Sequence, residues 1–164
     1  MVSKAVLLVL LLAAIGFCGT ATAPAWATAD DTALAAAMNE AKATLQDGLK
    51  ASLREGTPIS AKFEIDDGKL QISVYTIKGN DFMEVVVNPK TGAVAKAEKI
   101  TDVEDLKAAT SRKAGMAKAK MPLLMALETA VKANRGFRAV SIFPDDGGVT
   151  AQVILFAGGS FKKY

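Results

Sequence analysis

Histidine is absent from this chain of 164 residues, and cysteine occurs once, at Cys18. Without histidine there is no imidazole base and no Cys/His zinc site, and a single cysteine cannot build a disulfide framework. No glycine-rich phosphate loop is present, so catalysis would fall to carboxylates, lysine, serine or tyrosine alone. Charge of one sign is also lacking: 20 basic residues face 17 acidic ones, a net of +3, too mild to imply a nucleic-acid partner. Only one long apolar run occurs, Val6–Phe17, and it falls short of the roughly 20 residues a membrane span needs.

That run has the setting of an export signal. Lys4 precedes it, and small residues follow, ending in Ala25-Trp26-Ala27 before Thr28. Signal peptidase selects small side chains at the two positions held by Ala25 and Ala27, so cleavage is expected after Ala27. Cut after Ala23 instead, the chain would begin with the obstructing Pro24. Bulky Phe17 before Cys18 departs from a lipobox. Cleavage removes the only cysteine and leaves no stable membrane span. The expected location is the bacterial periplasm or the exterior.

The remainder is expected to be α+β. Asp30 or Asp31 opens a helix with Leu34, Met38, Leu45, Leu49 and Leu53 on one stripe, ending at Gly56-Thr57-Pro58. Ile59, Ala61, Phe63 and Ile65 then alternate with polar residues, a strand pattern. Asp66-Asp67-Gly68 turns the chain into 70–77, with Leu70, Ile72 and Val74 on one face. Gly79-Asn80-Asp81 turns it again into 82–87. Asn88-Pro89-Lys90-Thr91-Gly92 predicts a turn with glycine at positive φ, and 93–100 an edge strand guarded by Lys96, Glu98 and Lys99. Thr101-Asp102-Val103-Glu104 is a capping box, and Arg112, Lys113, Lys118 and Lys120 make the stretch after it basic. Pro122 starts another helix with Leu123, Leu124, Leu127 and Val131, and strands follow at 137–143 and 149–156.

The second half echoes the first. Laying Ile65–Val85 on Pro144–Tyr164 without a gap aligns Asp66/Asp145, Asp67/Asp146, Gly68/Gly147, Val74/Val153, Gly79/Gly158 and Phe82/Phe161. Tyr75/Ile154 and Ile77/Phe156 match in apolar character. With one residue's slip, Gly56 meets Gly136 and Phe63 meets Phe143. The expected organisation is a signal peptide at 1–27 and a first helix-plus-meander unit at 28–100. A helical, basic linker at 101–121 leads to a second, shortened unit at 122–164.

Phe82 to Val94 (FMEVVVNPKTGAV) resembles the closing hairpin of the PepSY domain, a helix-plus-meander module of peptidase propeptides and exported bacterial proteins. Leu123–Asn134, Gly136, Asp145-Asp146-Gly147 and the strands between resemble the family's earlier part. The resemblance implies tandem non-catalytic modules that restrain an exported peptidase or bind another extracytoplasmic protein, and it brings no catalytic residues.

From the residues themselves, Tyr75, Ile77 and Phe82 are the candidate partner surface, with burial in the core as the competing reading. A small-ligand or metal-ion module is the alternative function. Paired aspartates at the two Asp-Asp-Gly turns suggest Ca²⁺, and Met116, Met121 and Met125 suggest Cu(I), but neither turn has an EF-hand loop's oxygen set and methionines commonly fill helix cores. No metal or cofactor is therefore expected. Glu64 with Asp66 is the best acid pair for an enzyme, and no enzyme is expected from it.

Overall fold

A computed structural model of the protein describes residues 29–145 and 147–164. The leader, with Cys18, Ala25 and Ala27, and Asp146 lie outside the described residues. Helices α1 (Ala29–Met38) and α2 (Leu45–Ser52) lead into β1 (Thr57–Asp66), β2 (Lys69–Lys78), β3 (Asp81–Val87) and β4 (Val94–Lys99). Helices α3 (Val103–Met116) and α4 (Leu123–Ala133) follow, then β5 (Arg138–Pro144), β6 (Ala151–Ala157) and β7 (Ser160–Lys163). The class is α+β, as expected. All strands join one antiparallel sheet of order β4-β3-β2-β1-β5-β6-β7.

The two halves meet where β1 pairs with β5, through Ala61↔Ile142 and Lys62↔Ser141. Ala61 also faces Val74 in its own hairpin, and Ile142 faces Val153 in its own. Ala61 and Ile142, each opposite a valine in its own hairpin, thus pair with each other across the junction. Hairpins β2–β3 and β6–β7 share a register: Ile77↔Phe82 matches Phe156↔Phe161, and Tyr75↔Glu84 matches Ile154↔Lys163. The β1–β2 and β5–β6 turns differ. Asp67 and Gly68 both have positive φ, as a two-residue type I′ turn needs, whereas the second turn places positive φ at Gly148.

One face of the sheet carries the main core. Leu45 and Leu49 of α2 and Leu123, Leu127 and Ala130 of α4 cluster with Ala61, Phe63, Ile72, Val74, Val85, Val87, Ile142, Val153 and Leu155. These strand positions alternate as period two requires. Ile59 breaks the expected pattern. The register shifts between Pro58 and Ser60, and the bulge sends Ile59 into a different cluster from Ala61 and Phe63. Ile65, expected on the same buried stripe, is exposed near the strand's end.

The single helix expected from Asp31 to Arg54 is divided. Thr44 caps α2: its hydroxyl accepts from Asp47 N–H, and the Asp47 carboxylate accepts from Thr44 N–H at 2.8 Å. Just before it, the N–H groups of Lys42 and Ala43 both donate to Pro89 O at 2.9 Å, docking the break onto the β3–β4 turn. Arg138 holds the same segment from β5, donating to Met38 O and Ala43 O. The capping hydrogen bonds hold the Asp47 carboxyl below its ordinary value.

Residues 101–121, expected as a helical, basic linker, mostly form α3. Asp102 caps it by accepting from Glu104 and Asp105 N–H. Ala109, with Leu106 and Met116 beside it, packs on Ile59, Tyr75, Ile77, Phe82 and Ile100 as a second cluster. Alternation along β2 puts Tyr75 and Ile77 opposite Ile72 and Val74, so α3 crosses the other face of the sheet from α2 and α4.

Candidate functional site

Tyr75, Ile77 and Phe82 come together beneath α3, Tyr75 buried and the other two half-buried. Tyr75 is only 5 % exposed. Its phenol donates to Asp105 Oδ1 at 2.6 Å, and the Arg112 guanidinium lies 4.8 Å from its ring centroid. Arg112 also donates to Ser60 Oγ at 3.1 Å, tying α3 to β1. Lys113 sits over Phe82, 5.7 Å from its centroid. The start of the basic stretch thus clamps the helix to aromatic rings.

Burial and the Asp105 carboxylate raise the Tyr75 pKa above the ordinary phenol value of 10. The folded state holds this proton more tightly than the unfolded chain. Its stabilising contribution is therefore full below about pH 10 and is lost as pH rises through the folded pKa. Melting temperature should fall between pH 9 and 12, and Tyr75→Phe, which cannot ionise, should flatten that fall. Equal slopes in the two proteins would contradict the assignment.

Beside α3 the same sheet face is open. A groove of about 540 Å³ has among its sheet lining Ser60, Lys62, Ser73, Tyr75, Ser141, Phe143, Ile154, Phe161 and Lys163. Arg112 joins from α3, and Asp31 and Leu34 from α1. Its size falls in the range of small-molecule pockets, roughly 300–1,000 Å³. Ile154 and Phe161 are the register counterparts of Tyr75 and Phe82. The apolar surface sought on the first hairpin is therefore found on the second. The repeat alignment carried that signal, since it pairs Tyr75 with Ile154 and Phe82 with Phe161.

The polar groups around this floor are unequally engaged. Lys62 is ion-paired with Glu64. Lys162, also on the lining, donates to Asn134 Oδ1 at 3.0 Å and lies over Phe137. Ser73 donates to Glu84 at 2.6 Å. No carboxylate among the described residues ion-pairs with Arg112 or Lys163.

No family model matches the chain. No curated protein matches it. Among solved structures, a putative lipoprotein from Clostridium difficile 630 shares 21 % identity, covering 70 % of this chain and 87 % of that one, with a TM-score of 0.33.

The other candidate groups are dispersed. Among the described residues, no three of histidine, cysteine, aspartate and glutamate are arranged to hold a metal ion. Met116 packs against the cores, whereas Met121 and Met125 are exposed. Glu64 is taken up by Lys62, and Asp66 is exposed at the turn. Asp145 bonds Thr150 across its own loop, which holds its carboxyl below the ordinary value. No described helix is long and apolar enough to cross a membrane.

Proposed function

We propose that this protein is an exported, non-catalytic binding module that binds through the open groove of its second sheet face. The observation that carries this reading is the groove itself, with the half-buried Phe143, Ile154 and Phe161 on its floor beside α3. Export follows from the leader, and the non-catalytic role from a residue inventory without histidine and, after cleavage, without cysteine. The PepSY-like hairpin at Phe82–Val94 supports a second reading: a role as one of two tandem modules restraining an exported peptidase or binding another extracytoplasmic protein. The formation of that hairpin as β3 and β4 favours it.

An uncharged fluorescent hydrophobe, N-phenyl-1-naphthylamine, tests the groove. Saturable enhancement at one probe per chain is expected, with amide shifts centred on Ser141, Phe143 and Ile154. Ile154→Glu should abolish the enhancement while leaving the circular dichroism unchanged. Unsaturable binding, or shifts spread evenly over the sheet, would overturn the reading.

A further inference from the structure

We infer that the groove takes a single-chain amphiphile with an anionic head, of the long-chain carboxylate class. This rests on the groove being the binding site and adds the chemistry of its occupant.

Charge complementarity selects the head. Of the cations on the lining, Lys62 and Lys162 are engaged by Glu64 and by Asn134 with Phe137. Arg112 and Lys163 have no carboxylate partner among the described residues. Arg112 spends one N–H on Ser60 Oγ and stacks on Tyr75, which holds the fork in place with its other donors bonded to no described residue. A fixed guanidinium fork suits a carboxylate's two oxygens.

Ser141 adds an independent observation. It is 9 % exposed and lines the groove, yet its hydroxyl bonds to no described residue. Among the described residues, the one side-chain oxygen both fully buried and unpartnered is Asp145 Oδ1, so the Ser141 oxygen opens onto the groove. There it can donate to an anionic head. Among the described residues Asp31 is the one acid on the lining, so the cations with no described partner carboxylate still outnumber it.

The floor selects the tail. Phe143, Ile154, Phe161 and Leu34 supply apolar surface and no polar partner for a hydrated chain. A neutral hydrophobe would leave Arg112 and Ser141 desolvated without new bonds, and a short acid would leave the floor uncovered.

Calorimetry and amide-shift mapping with three probes test the inference. They are dodecanoate below its micelle concentration, dodecyltrimethylammonium with the same tail, and butyrate with the head alone. Dodecanoate should bind once per chain, at least tenfold tighter than either control, with shifts at Ser141, Phe143 and Ile154. Arg112→Gln should weaken it at least fivefold and Lys163→Gln by less. Arg112→Lys keeps the charge and loses the fork, so partial rescue is expected and guards against a folding defect in the glutamine variant. Equal binding of dodecanoate and dodecyltrimethylammonium, or no effect of Arg112→Gln, would overturn the anionic head while the groove reading stands. Failure of dodecanoate and of the neutral hydrophobe together would overturn both.

Discussion

Gly148→Ala should destabilise the protein by roughly 2–5 kcal/mol, combining left-handed backbone strain with overpacking. Gly148 has φ +67°, and a Cβ there would stand 2.3 Å from Gly115 O and 2.8 Å from the Lys118 Cβ. Gly115 is equally constrained, since its own Cβ would meet Asp145 O at 2.8 Å and the Pro144 Cβ at 2.9 Å. The C-terminal end of α3 therefore rests against the β5–β6 loop at a contact only glycines permit, and either substitution pushes the helix off the sheet. Gly159→Ala separates the two contributions. Gly159 has φ +80° with nothing within 4 Å of its Cβ position, so only the strain applies, about 1–2 kcal/mol. Urea unfolding of the two variants checks this, and equal losses would refute the packed contact.

Leu127→Ala should cost about 2–5 kcal/mol, the range for emptying a fully buried leucine site. Leu127 has 0 % exposure and belongs to the main cluster, which draws on both helices of the first face and on strands from both halves. Because the sheet is continuous through β1 and β5, the loss should lower the urea midpoint of the whole protein without changing the slope. Two resolved transitions in the variant would contradict a shared core.

Much of the strand layout was legible because alternation and turn chemistry are local. The β4 edge and the Asn88–Gly92 turn, with Gly92 at φ +73°, follow from neighbouring residues alone. The junction of β1 with β5 does not, since nothing local specifies which strands of two meanders become neighbours. The break between α1 and α2 was partly legible. Thr44 and Asp47 stand at capping-box spacing, but the leucine stripe through them masks it, and the Pro89 carbonyl that fixes the break comes from a distant turn.

The role of α3 was harder to see. Its buried positions include Ala109 and Gly115 rather than leucines, so the apolar stripe is faint and the basic residues dominate the pattern. Those cations then proved to be part of the docking, through Arg112 on Tyr75 and Lys113 over Phe82. The repeat alignment pointed to Ile154 and Phe161, but the groove's position beside α3 was illegible for the same reason. Whether Tyr75 or its counterpart Ile154 lies open depends on which part of the sheet α3 crosses.

The most direct test is thiol accessibility, because the chain contains no cysteine beyond Cys18. Single substitutions Ile154→Cys in the groove floor and Ile59→Cys beneath α3 would be labelled with a maleimide under native conditions. The account predicts rapid labelling at position 154, slowed by a bound hydrophobe. At position 59, labelling should be at least tenfold slower until urea unfolds the protein. Equal native rates, or faster reaction at position 59, would contradict a sheet face sealed by α3 on one side and open on the other.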